Sequence, residues 1–128
     1  MEVPVIGKDV LSRTIKDFSN TKWWNIPRKE IPWYPRIDYE RCIGCGLCFL
    51  TCSGRVVYDW DPKENKPIVA RPYNCMVGCD TCAKLCPRDA ISFPHLSELR
   101  KWRDKANAVR LAKEKIEKIF SGDSNIRQ

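Results

Sequence analysis

Eight cysteines in two short runs limit what this chain can fold into more than anything else in its 128 residues. The first run, CIGCGLCFLTCS, holds Cys42, Cys45, Cys48 and Cys52 at spacings of three, three and four positions. The second, CMVGCDTCAKLCP, holds Cys75, Cys79, Cys82 and Cys86 at four, three and four, and ends in Pro87. Three thiolates so close in sequence must curl round one centre. That curl needs backbone angles that glycine adopts freely, and Gly44 and Gly46 stand in the first loop to supply them. Amide N–H groups turned inward by the curl offset the negative charge of the thiolates and of what they bind. Cys48 and Cys52, one helical turn apart, point to the same side of a short helix.

The rest of the composition bounds the setting. An apolar fraction of 43% in one small domain promises only a small core, and domains of this size often need a staple. No basic start leading into an apolar run is present, so neither export nor membrane spanning is indicated and a cytoplasmic location is expected. Thiols stay reduced there, and clustered cysteines then read as metal ligands before disulfides. Structural zinc takes two separated pairs of ligands, whereas these ligands come as three plus one, twice, which suits a cubane cluster better.

The chain divides into an N-terminal extension at residues 1–35, a middle at 36–94, and a C-terminal helix and tail at 95–128. The extension holds Pro4, Pro27, Pro32 and Pro35 with Phe18, Trp23, Trp24, Trp33 and Tyr34, too aromatic for plain disorder. The spacing of Leu11, Ile15 and Phe18 predicts a short helix over 8–18, followed by an extended path through the prolines. Its aromatic side chains are expected to pack on their own domain, with anchoring of a partner as the alternative. In the middle, residues 36–38 and 90–93 read as short edge strands. Between the boxes, 56–60 and 67–71 read as strands around the turn-forming residues 61–65. Beyond them, Leu99, Trp102, Ala106, Val109, Ile116 and Phe120 form a stripe that predicts one helix over 96–120, stopped at Ser121-Gly122.

With both cysteine boxes, the Cys86-Pro87 ending and the Ala90-Ile91 exit strand, residues 36–94 resemble the bacterial-type two-cluster ferredoxins. The resemblance implies an α+β fold, a ferredoxin-like domain with a pseudo-twofold repeat, two 4Fe-4S clusters and one-electron transfer. In that family the fourth cysteine of each run serves the other cluster. Carried over, Cys42, Cys45, Cys48 and Cys86 hold one cluster, and Cys52, Cys75, Cys79 and Cys82 the other. Each site then draws on both halves of the chain, so loss of one cluster loosens the whole domain. The sequence departs from the family pattern twice. Ser53 follows Cys52 where proline is usual, and Met76 is an extra residue before Val77-Gly78-Cys79. That insertion is expected to change the amide pattern or solvent cover of the second cluster and so its potential, or merely to fill space over it.

Weaker signals surround the boxes. Lys84 and Arg88 stand in or beside the second, Tyr58 and Trp60 are expected to shield cluster or core, and His95, the only histidine, is expected near a helix start rather than on a metal. No phosphate loop, nucleophile with a base, or carboxylate pair points to a catalytic site. The net charge of +7 sits at the ends, +3 in residues 1–37 and +4 in 91–128, around a neutral middle. These basic flanks and the C-terminal helix are expected to dock a redox protein or the catalytic subunit of a larger oxidoreductase. A free soluble ferredoxin is the alternative within that class. A nucleic-acid-associated iron-sulfur protein, suggested by the charge and the tryptophans, is the alternative outside it.

Overall fold

Short strands paired in twos, with the cysteine runs between them, organise residues 3–121, the part of the chain that this computed structural model describes. β1 (Val5–Lys8) and β2 (Thr14–Lys16) form an antiparallel hairpin where the apolar spacing predicts a helix. Asp9 decides against the helix. Its Oδ1 accepts the amides of Leu11 and Arg13 at 3.0 and 2.8 Å, its Oδ2 accepts Arg13 Nε at 2.6 Å, and Ser12 takes a φ of 62°. A side chain that satisfies its own neighbours' amides competes with helix formation, and β-branched Val5, Ile6, Thr14 and Ile15 favour strands on either side.

The expected extended path after Asn20 is interrupted. β3 (Lys22–Trp23) and β4 (Ile26–Pro27) pair through Trp24 and Asn25, with φ of 48° and 67°, the signs a primed two-residue turn requires. A single 3-10 turn follows at Arg28–Glu30.

The middle then runs β5 (Arg36–Ile37), α1 (Leu47–Thr51), β6 (Tyr58–Asp61), β7 (Lys66–Val69), α2 (Thr81–Leu85) and β8 (Ile91–Ser92). β5 pairs antiparallel with β8, Ile37 opposite Ile91, and β6 with β7. The β6–β7 turn is shaped by Asp61, whose Oδ1 accepts the amides of Lys63 and Glu64, and by Asn65 at a φ of 56°.

The stripe over 96–120 predicts one helix, and two are found: α3 (Leu96–Lys105) and α4 (Ala108–Phe120). Asn107 breaks the run by adopting left-handed angles, φ 56° and ψ 42°, which Asn tolerates better than most residues. The break lets Leu99 and Trp102 of α3 pack on the core and buries Ala108, while Val109, Ile116 and Phe120 stay exposed. His95 caps α3, its Nδ1 accepting the Ser97 amide at 3.1 Å. Gly122, the expected stop, lies outside the described residues.

The core is one cluster of Ile31, Trp33, Cys48, Phe49, Val57, Tyr58, Cys75 and Ile91. Ile31 and Trp33 come from the N-terminal extension, so the aromatic segment completes the core that also holds two of the cysteines. Trp33 stacks on Phe93 at 5.3 Å between centroids, and Phe49 meets Trp60 at 5.7 Å. Among the described residues no helix is long and apolar enough to cross a membrane.

Candidate metal centres

Each box bends as its glycines allow. Gly44, Gly46 and Gly78 have φ of 72°, 82° and 93°. Gly44 has a second reason to be glycine, because a Cβ there would stand 2.4 Å from the Asn65 carbonyl oxygen. α1 then carries Cys48 and α2 carries Cys82, with Cys52 and Cys86 at the two C-caps. All eight cysteines are free thiols.

Two cavities divide these thiols. One, of about 360 Å³, is lined by Cys52, Cys75, Cys79 and Cys82 together with Val57, Tyr58 and Met76. The other, a tight cleft of about 20 Å³, is lined by Cys42, Cys45, Cys48 and Cys86 together with Ile37, Pro87 and Ile91. The cleft is closed on one side by Ile43 and Leu47, both substantially exposed, so this is the wall free to yield to a bound group. The fourth cysteine of each run thus lines the cavity of the other run.

Among the described residues no three Cys, His, Asp or Glu side chains come close enough to grip a single ion. Tetrahedral zinc with Zn–S of about 2.3 Å would hold its sulfurs about 3.8 Å apart. Bound in these cavities, a 4Fe-4S cluster supplies one-electron chemistry.

Burial disfavours the thiolate form at the deepest cysteines unless a cation is bound beside them. Burial above all, with repulsion from Cys82, Cys42 and Cys45 adding to it, pushes the Cys48 thiol up to about 12. Burial, then the neighbouring Cys79, Cys82 and Cys52, pushes Cys75 up to about 12 as well. Burial also raises Cys82, although the Tyr58 hydroxyl, donating to its sulfur at 3.2 Å, opposes that rise. Iron takes such cysteines as thiolates and removes the penalty of leaving several buried anions together. Hydrogen bonds to sulfur tune the result. The Ala90 amide donates to Cys86 Sγ at 3.3 Å, and the Thr81 hydroxyl lies 3.8 Å from Cys79 Sγ.

Further residues close the loops. Arg28 is buried and donates to the Cys75 carbonyl from Nε at 3.2 Å and from Nη2 at 2.9 Å. Trp33 Nε1 donates to the Cys79 carbonyl at 3.0 Å. Buried Asn74 accepts the Phe18 amide and donates to the Lys16 and Arg55 carbonyls, fastening β2 beside Cys75. At the first box, Lys66 Nζ donates to the Cys42 carbonyl. Arg28, Asn74 and Lys66 are not legible as site residues in the sequence: Arg28 and Lys66 stand far from the cysteine each serves, and Asn74, next to Cys75, takes partners on β2 and beside it that no local pattern marks. Tyr58 is legible, being fully buried with its hydroxyl on Cys82. Trp60 packs on Phe49 rather than at a cavity. Met76 is half exposed at the rim of the larger cavity, and its carbonyl accepts the Cys79 amide at 2.9 Å. Lys84 pairs at the surface with Asp80.

Residues 35–93 match the family described as the 4Fe-4S dicluster domain. Ferredoxin-3 of a Nostoc species is 34% identical over 76 residues, which cover 44% of this chain and 77% of that protein. The chain belongs to the two-cluster ferredoxin family. Two 4Fe-4S clusters are therefore its cofactors. An uncharacterized ferredoxin of Methanocaldococcus jannaschii is 46% identical over 68 residues, 52% of this chain, and the matched stretch spans only 44% of that relative. Pyruvate synthase subunit PorD of Thermotoga maritima is 28% identical over 92 residues, 72% of this chain and 82% of PorD. No solved structure matches. Ferredoxins and an oxidoreductase subunit thus stand side by side among the relatives of this ferredoxin-family chain.

Proposed function

We propose that this chain is an electron-carrying subunit or dedicated partner of a larger oxidoreductase, relaying single electrons through two clusters and having no catalytic site of its own. Cys42, Cys45, Cys48 and Cys86 hold the first cluster, and Cys52, Cys75, Cys79 and Cys82 hold the second, within a pseudo-twofold repeat. The observation that carries this reading is the division of the eight thiols between two cavities, each lined by three cysteines of one box and the last cysteine of the other. The chain works in a reducing, cytoplasmic setting, where clustered cysteines are kept available as metal ligands. Anaerobic purification tests the clusters. About eight irons and eight acid-labile sulfides are expected, and Cys52→Ser is expected to alter the signal of the second cluster rather than the first. A count near four, or an effect of Cys52→Ser on the first cluster alone, refutes the ligand sets.

The subunit reading rests on α4. Val109, Ile116 and Phe120 are about half exposed along one shallow groove with Ala112, Lys113 and Glu117, and α4 carries Arg110, Lys113, Lys115 and Lys118 against Glu114 and Glu117, Arg110 pairing with Glu114. An apolar stripe on a helix of net positive charge fits an apolar groove with a net acidic rim on a partner subunit. Replacing Ile116 and Phe120 by Ser should leave the iron content unchanged and abolish co-purification with an oxidoreductase from the native cell. A wild-type chain that purifies as a reducible monomer with no such enzyme supports the free ferredoxin instead.

A further inference from the structure

Arg28 is 4% exposed and lies against the loop of the second box, yet among the described residues no carboxylate stands within ion-pairing distance of it. Its guanidinium is held by carbonyls alone: Cys75 takes both Nε and Nη2, Ile31 takes Nη1 at 2.6 Å, and Trp33 takes Nη2. The ring of Tyr73 lies 5.6 Å away. A buried cation without a counter-ion is costly, and Arg keeps its proton in any protein environment, so the charge must be answered by something nearby. Cys75, whose carbonyl it grips, is one of the thiols proposed for the second cluster. Two cations reach the first box, and neither is both buried and unpaired: Arg13 donates to the Phe49 carbonyl at 2.9 Å but is paired with Asp9 at 2.6 Å. Lys66 Nζ bonds the carbonyl of Cys42, the equivalent leading cysteine, but Lys66 is only half buried and remains open to solvent screening.

We propose that Arg28 is a fixed positive charge, carried in by the N-terminal extension, that makes the second cluster accept an electron more readily than the first. This rests on the ligand sets proposed above. Reduction takes one electron from a one-electron donor protein, with no proton and no bond made, and adds one negative charge at the site. A cation held in the low-dielectric interior stabilises that added charge more than a lysine screened by water and salt. The electron therefore rests on the second cluster, and the first serves as the step before or after it.

Redox titration of the anaerobically purified full chain, followed by electron paramagnetic resonance with iron counted in parallel, tests this in wild type, Arg28→Lys and Arg28→Gln. Cys79→Ser identifies the signal of the second cluster. Arg28→Gln should lower the equilibrium constant for reducing the second cluster about tenfold, or about 59 mV for one electron, and shift the first less than about twofold. Arg28→Lys should stay within about threefold of wild type while lowering the melting temperature, because a point charge cannot fork to three carbonyls. An unmoved second cluster in Arg28→Gln, equal shifts of both clusters, or an Arg28→Lys shift as large as that of Arg28→Gln would each make Arg28 a structural peg and overturn the proposal. If Arg28→Gln fails to retain the second cluster, the threefold bound on Arg28→Lys decides alone. A wild-type iron count well below eight overturns the ligand sets and this proposal with them, whereas a full count with unmoved potentials overturns this proposal only.

Discussion

The two cysteine loops are closed by different parts of the chain. The first is covered from within the family domain: the β6–β7 turn sets Asn65 against Gly44 and sends Lys66 to the Cys42 carbonyl. The second has its loop braced from outside residues 35–93. Arg28 and Trp33 of the N-terminal extension hold the carbonyls of Cys75 and Cys79, and Leu99 of α3 comes within 3.7 Å of where a Gly78 Cβ would stand. The depth of the thiols also differs, since the buried member is the third cysteine of the first run, Cys48, but the leading cysteine of the second, Cys75. A segment that looks like an appendage in the sequence therefore braces both boxes, holding the carbonyls of two cysteines at the second and only the Phe49 carbonyl, through Arg13, at the first.

Acid should remove the contrast altogether. With thiols pushed up to about 12, Cys48 and Cys75 are protonated at any lower pH in the metal-free fold, and each must lose its proton to bind iron. Falling pH thus opposes binding, by about tenfold per unit for each such thiol. Iron released between about pH 8 and about pH 5 should come from both sites together, because each proposed set holds one of these thiols; release in two separated steps would show the two walls to be unequal barriers. Trp33→Ala should break the contrast at the second site, removing a core side chain and the bond to the Cys79 carbonyl. A loss of about 3–5 kcal/mol is expected from urea unfolding of the holoprotein, with the second cluster more labile to chelators than the first. Asn74→Ala unfastens β2 and leaves a buried amide and two carbonyls unpaired, for about 2–3 kcal/mol, again with the iron of the second site lost first. Tyr58→Phe is the finest probe. It deletes only the hydroxyl donor to Cys82, so stability should change by about 1 kcal/mol or less, while the potential of the second cluster falls and that of the first holds.

How much of this could be read in advance follows the range of the interactions. The loops, the short helices α1 and α2, and the β6–β7 hairpin were legible because glycine spacing, helical spacing and an Asp-Pro turn act within a few residues. The helix expected over 8–18 failed for an equally local reason, the double grip of Asp9 on the amides of Leu11 and Arg13, which outweighs apolar spacing. The break at Asn107 was illegible because the stripe continues through it, and only the burial of Ala108 shows what the turn achieves. The bonds from Arg28 to Cys75 and between Asn74 and Phe18 span 47 and 56 positions, and no local pattern marks contacts made at that range.

Asn107 also sets what can change independently. Of the residues of α4 only Ala108 is buried, so the remaining surface of that helix carries almost none of the packing that holds the cysteines in place. Most substitutions along it should be neutral for the redox core while altering what the helix meets. Under the docking proposed for α4, address and cargo are written in separable stretches of one chain, and a new destination could be given to the same electron by rewriting about a dozen residues on one helix.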